Sequence, residues 1–253
     1  MDVIAVTNNS ATRDLSNQLG NTSHLLDYLN YYRSLSEPGY AVLITGEWGS
    51  GETFQVDEIL INEDKYYISL FGMQTPEEVY ASVYAKMHPY KAKAKYAANA
   101  TNGTEFGVLG FTLNLGSIAS GVANAFLRES VKTDRVLVFD DLERTSMKTQ
   151  TLLGIFNTYI EHHKCRVVVL AHDGKIADDL KETKEKVFGQ TIEIIPQPSK
   201  AYDSFTSLLK EQDAANTAKE LKDDIINIFH QSSTSSLRIL KYALEDLSRL
   251  FKI

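Results

Sequence analysis

The residues whose types and spacing could do chemistry begin at Gly46-Glu47-Trp48-Gly49-Ser50-Gly51-Glu52-Thr53. Their pattern is that of G-x-x-x-x-G-K-[ST]. In such a loop the glycines let successive backbone N–H groups turn inward around phosphate oxygens. The helix that follows adds the partial positive charge of its N-terminus, and the Ser/Thr hydroxyl reaches magnesium. Every fixed position matches except one, because Glu52 stands where the lysine belongs. A carboxylate about 4 Å from a phosphate charge, at an effective dielectric near 20, is repelled by about 4 kcal/mol, and the comparable attraction of a lysine is lost as well. Nucleotide affinity is therefore expected to fall by orders of magnitude. Glu52 could relieve the repulsion by swinging to solvent, taking up a proton or pairing with an arginine, but none of these restores catalysis. The competing reading, a Gly-rich turn unrelated to phosphate, has the context against it, since an apolar run precedes the loop and Phe54, Val56, Ile59 and Leu60 follow at helical spacing.

A second chemical segment is Val136-Leu137-Val138-Phe139-Asp140-Asp141-Leu142-Glu143-Arg144, an apolar run that delivers carboxylates to one edge of a sheet. In this Walker B arrangement Asp140 would hold magnesium through water, and Asp141, or secondarily Glu143, would polarise the attacking water. Val167-Val168-Val169-Leu170-Ala171-His172-Asp173 is another apolar run with a polar end. There His172 or Asp173 could orient the attacking water, and a histidine that caps the next helix is the plainer alternative. Arg238, at the start of the last amphipathic stretch, could reach the phosphates as a sensing arginine or could simply be solvated. Arg144 could brace Asp141 or face a neighbouring subunit.

The elements that must position these groups follow from periodicity. Leu25, Leu26, Leu29, Tyr32 and Leu35 recur at helical spacing from a Ser23 cap until Pro38-Gly39 stops them. Short continuous apolar runs at 40–44, 66–71, 136–139 and 166–170, with a weaker one at 191–195, have the look of strands buried on both faces. Helical segments lie between them, so the expected class is α/β with a parallel sheet. Beyond Pro198 the chain reads as helical, with Tyr202, Phe205, Leu208 and Leu209, then 221–229, then Leu237, Leu240, Leu244, Leu247 and Phe251 as an amphipathic stripe. The expected organisation is a loose polar arm at 1–22, an α/β core at 23–198 with an insertion at about 76–134, and a helical region at 199–253.

Composition bounds the rest. Of 253 residues, 43% are hydrophobic and 23% charged, which excludes collagen-like, disordered and disulfide-scaffold chains. A net charge of -7 disfavours non-specific nucleic-acid binding. The single cysteine, Cys165, cannot form an internal disulfide, is expected in the core, and suits a reducing compartment, by default the cytoplasm. His162-His163 beside it offers too few separated ligands for zinc. Lys86, His88, Lys91, Lys93 and Lys95, interleaved with Tyr84, Tyr90 and Tyr96, could be an anionic-surface patch, with a solvated lysine face as the blander reading.

Together the motifs resemble the KAP family of P-loop NTPases, a branch of the additional-strand ATPases related to the AAA+ and STAND groups. Gly46-Glu47-Trp48-Gly49-Ser50-Gly51 is similar to the family's G-E-W-G-S-G-K-[ST], and Asp140-Asp141-Leu142-Glu143-Arg144 to its D-D-L-D-R. Ile68-Ser69-Leu70-Phe71-Gly72 resembles the second-strand segment of related bacterial proteins. The likeness spans about residues 24–250, with Glu52 as its departure. It implies a core sheet in the order 5-1-4-3-2, a C-terminal helical bundle, ATP and magnesium as ligands, a protein partner or homo-oligomer, and often a place in bacterial conflict and phage defence. On that resemblance Gly46, Glu47, Trp48, Gly49, Ser50, Gly51, Glu52, Thr53 and Phe54 surround the nucleotide, and Thr53 and Asp140 hold magnesium. Asp141 activates water, with Glu143 and His172 as its alternates, and Arg238 senses the phosphates. Family members can carry membrane helices between the two motifs. The uncharged stretch 106–127 is long enough to span a bilayer, yet its Asn114, Asn124, four glycines and the alternation of 111–115 favour a strand or hairpin and a small-residue helix. Two rival functions remain beside the nucleotide switch: a nucleotide-free interaction module on the same fold, and a membrane-associated conflict protein.

Overall fold

The computed structural model describes residues 24–90, 107–108, 111–112, 131–172 and 184–251. The arm at 1–22, the Ser23 cap, Lys91, Lys93, Lys95 and Tyr96, most of 106–127, and Asp173 lie outside the described residues. Five strands form one parallel sheet: β1 (Ala41–Gly46), β2 (Lys65–Ser69), β5 (Val136–Asp140), β6 (Val167–His172) and β7 (Phe188–Glu193). A separate antiparallel pair joins β3 (Gly107–Val108) to β4 (Phe111–Thr112). The main sheet runs β2-β5-β6-β1-β7. Counting its five strands along the chain, that is 5-1-4-3-2 read from the other edge, the order expected of an additional-strand P-loop NTPase.

The continuous apolar runs became strands because helices flank the sheet and leave no solvent side on the inner strands. Every residue of β1 and β5 is buried. The outermost strand β7 instead alternates, with Phe188 and Ile192 buried and Gly189, Thr191 and Glu193 exposed. Gly189 is required there, since a Cβ would stand 2.6 Å from Cδ2 of Tyr40.

Helix α1 occupies residues 24–34, with Leu25, Leu29 and Tyr32 buried. It is followed by α2 (Glu52–Ile59), α3 (Pro76–Met87), α4 (Thr149–Asn157), α5 (Pro198–Ser207), α6 (Gln212–Glu220), α7 (Lys222–Gln231) and α8 (Leu237–Leu250). Thr75 caps α3, its hydroxyl accepting from the Glu78 amide, and Pro76 opens the first turn where a missing N–H costs nothing. No basic residue lies in the last turn of α2. Lys65, buried at the start of β2, supplies the cation instead, donating to the Leu60 carbonyl and pairing with Asp57 at 2.5 Å.

The chain divides into two compact units. One comprises Leu29–Ile44 and Asp57–Ile192, and its core gathers Leu43, Ile68, Leu137, Phe139, Phe156 and Tyr159. Phe139 meets Phe156 and Tyr159 at centroid separations of 5.0 and 5.8 Å, tilted as aromatic quadrupoles prefer. Cys165 belongs to this core, 1% exposed, as its sequence context suggested. The other unit holds the described residues of Met1–Tyr28, Thr45–Val56 and Glu193–Ile253. Its core is helical, built from Ala201, Tyr202, Ala218, Phe229, Leu237, Leu240 and Leu244, with the Tyr202 hydroxyl donating to the Ala218 carbonyl at 2.6 Å.

Candidate functional site

The loop after β1 is shaped by two glycines in the left-handed region, Gly49 at φ +83° and Gly51 at φ +94°. The Ser50 amide donates to the Glu47 carbonyl at 2.9 Å, closing a four-residue turn whose third position, Gly49, needs positive φ. The Gln55 amide then donates to the Gly51 carbonyl at 2.9 Å, and α2 has begun. Inside this curl the Ser50 side chain is fully buried, and its hydroxyl has no hydrogen-bond partner among the described residues. Gly46 must be a glycine, because a Cβ there would run into Ser50 Oγ and stand 2.7 Å from Glu52 Oε1. The Glu52 carboxylate is thus folded back over Gly46.

The start of α8 closes on the same loop. Leu237 donates its amide to the Gly49 carbonyl at 2.8 Å, and the Ser235 hydroxyl donates to the Glu47 carboxylate. A Cβ on Gly49 would collide with the Ser236 side chain, and one on Gly51 would lie 2.9 Å from Leu237 Cδ1. The guanidinium of Arg238 rests over the Trp48 ring, 5.3 Å from its centroid. Gln55 Nε2 donates to the Ile195 carbonyl at 3.0 Å, and Gln197 Nε2 donates to Gln55 Oε1 at 3.1 Å. Phe54 packs toward Phe205, with centroids 6.5 Å apart. The structure therefore gathers Glu47, Trp48, Gly49 and Gly51 with Arg238, the arginine expected from the sequence to be able to reach this loop.

The acidic segment forms a second cluster. Asp140 ends β5 and is 9% exposed. Its Oδ1 accepts from the Asp141 amide at 2.7 Å, and its Oδ2 accepts from the Tyr67 hydroxyl at 2.7 Å. Asp141 sits in the left-handed region at φ 60°, where aspartate is one of the few tolerated side chains. Its carboxylate accepts from Ser69 Oγ at 2.6 Å and from Arg144 at 3.1 Å. Of the two roles open to Arg144, bracing Asp141 is present; the guanidinium also covers Phe71, 3.9 Å from its ring centroid. Glu143 accepts from the His172 backbone amide at 3.2 Å, which joins the ends of β5 and β6. Burial, first, and then the Asp140 carboxylate raise the Tyr67 hydroxyl above its ordinary range, so it stays a donor at any working pH.

The acids and His172 were legible as strand ends, whereas Tyr67 and Ser69 were not. The signal that could have found them is strand periodicity: residues 67 and 69 share one face of β2, and Ser69 pairs in register with Asp140.

No protein-family model matches this chain, and no curated protein matches it in sequence. Solved structures do resemble it. Drosophila ORC bound to DNA shares 12% identity over 96% of this chain and 61% of that one, with a TM-score of 0.47. The Walker-type ATPase PABY2304 of Pyrococcus abyssi shares 14% over 80% and 62%, at 0.42. AMPPCP-bound DnaA from Aquifex aeolicus shares 16% over 82% and 58%, at 0.35. This chain spans less than two thirds of each. At that similarity they carry no argument, and the fold stands on the sheet order.

The donor set fits the groups that fold implies. The Ser50 hydroxyl, buried inside a glycine curl with no partner among the described residues, suits a phosphate oxygen, and the Asp140 carboxylate at a strand end is by itself the kind of oxygen ligand that magnesium prefers. Glu52 is the one residue that opposes the fit. Among the described residues no group of three or more His, Cys, Asp or Glu is arranged to hold a metal by itself, and no helix is long and apolar enough to cross a membrane.

Proposed function

We propose that this chain is a KAP-like P-loop domain that binds ATP with magnesium and couples nucleotide state to a change of shape or partner, with hydrolysis impaired by Glu52. The observation that carries the reading is the buried Ser50 hydroxyl, without a partner among the described residues, inside a positive-φ glycine turn between β1 and α2. In this reading the loop from Gly46 to Gly51 cradles phosphates, Thr53 and Asp140 hold magnesium, Asp141 or Glu143 orients water, and Arg238 leaves the Trp48 face to sense the nucleotide. The N-terminus of α8 is then the lever, because it is hydrogen-bonded to the loop through Leu237 and Ser235. The partners are nucleotide and a protein or second copy in a conflict or phage-defence setting, and the single buried cysteine suits the reducing cytoplasm.

One observation favours a second reading. The Glu52 carboxylate over Gly46 puts a negative charge at the loop's own mouth, as a nucleotide-free scaffold would. Titration of labelled ATP with magnesium against the chain and its Glu52→Lys form separates the two. Reversing a repulsion of about 4 kcal/mol before screening corresponds to about 1000-fold, so Glu52→Lys is expected to tighten ATP by about 100-fold or more. Failure of either form to bind ATP, with circular dichroism unchanged, would leave the scaffold as the function.

A further inference from the structure

The acidic turn is held from the neighbouring strand. Parallel pairing of β2 with β5 sets Tyr67 opposite Val138 and Ser69 opposite Asp140. Side chains two apart on a strand share a face, so Tyr67 and Ser69 lie on the face that carries Asp140. Tyr67 stands one step before Asp140 along that face and reaches forward to Oδ2 at 2.7 Å. From the other side the Asp141 amide takes Oδ1 at 2.7 Å. A carboxylate with a donor on each oxygen cannot rotate about its Cβ–Cγ bond without breaking one of them.

The geometry points to Tyr67 as the positioning residue of the metal carboxylate: its hydroxyl, with the Asp141 amide, fixes the plane of Asp140 for a divalent cation. This rests on the reading of Asp140 as the magnesium ligand. Packing alone does not ask for the hydroxyl, since a phenylalanine would fill the same place on β2. Outer partners of this kind set the orientation of a ligating carboxylate, and their loss weakens metal binding by about 10- to 100-fold.

The test uses the full chain carrying Glu52→Lys, alone and with Tyr67→Phe or Asp140→Asn added. Affinity for labelled ATP is measured in EDTA and across a manganese titration, and bound manganese is followed by its paramagnetic resonance spectrum. Expected for Tyr67→Phe are an unchanged ATP affinity in EDTA, a manganese requirement about 10-fold or more higher, and an altered spectrum of the bound ion. A manganese response identical to that of the parent, while Asp140→Asn abolishes it, would overturn the role of Tyr67. Loss of ATP affinity in EDTA as well would overturn it too, showing that the hydroxyl supports the fold. An unaltered metal response in Asp140→Asn, or no ATP binding by the parent, would instead bring down the underlying reading, leaving Tyr67 nothing to position.

Discussion

Gly51 meets two demands at once. Its φ of +94° lies where an L side chain is strained, and Leu237 Cδ1 stands 2.9 Å from the place a Cβ would take. Gly51→Ala is therefore expected to destabilise the chain by about 1–3 kcal/mol, read as a lower urea midpoint, and to do so without any nucleotide present. An unchanged midpoint would mean that the glycine serves ligand approach alone. In sequence the glycines of the loop looked like openings for phosphate. Their second use, as the seat for Ser236 and Leu237, was invisible because it depends on residues nearly two hundred positions away. The same holds for Tyr67, whose phenol has nothing to mark it until the register of two strands is known. Asp140, by contrast, was readable from its own neighbours, since four apolar residues ending in acid is a local pattern.

Among the elements, β1 and β6 are tied together near their starts by one side chain of α1. The Tyr32 hydroxyl donates to the Tyr40 carbonyl at 2.6 Å and accepts from the Val167 amide at 2.9 Å, in a fully buried position. Tyr32→Phe keeps the ring but leaves a buried N–H unsatisfied, so a loss of about 1–3 kcal/mol in urea denaturation is expected. A loss under about 0.5 kcal/mol, the scale of an ordinary surface change, would argue against the tie. Inner strands were legible because burial on both faces writes an unbroken apolar run. The start of β7 was not, since an edge strand containing Gly189 and Gln190 lacks that run, and the expected stretch at 191–195 begins three residues late. Helix α6 also escaped notice. Its buried face is Ala214, Ala215 and Ala218, too small to register as an apolar stripe.

At the scale of the whole molecule, two buried hydroxyl- and thiol-bearing groups make stability sensitive to alkali. Burial pushes the Cys165 thiol up from 9.0 to about 12, Arg166 opposing it. Burial and then Asp134 push the Tyr66 hydroxyl from 10.0 to about 12. In both cases the folded chain keeps a proton that the unfolded chain gives up. Stability is present in full below about pH 9 and falls as pH rises toward 12. Thermal midpoints between pH 8 and 11 should decline, and Cys165→Ala should flatten the first part of that decline; equal slopes in the two proteins would contradict the assignment. The division of the chain into two units was not legible, because each is assembled from segments that are not continuous in sequence. The protein also contains one tryptophan, Trp48, and it lies in the glycine loop after β1 beneath a guanidinium. Excited beyond the absorption band of the 13 tyrosines, that indole gives a label-free optical report on the loop, and a departure of Arg238 from its face is expected to change the colour and brightness of the emission.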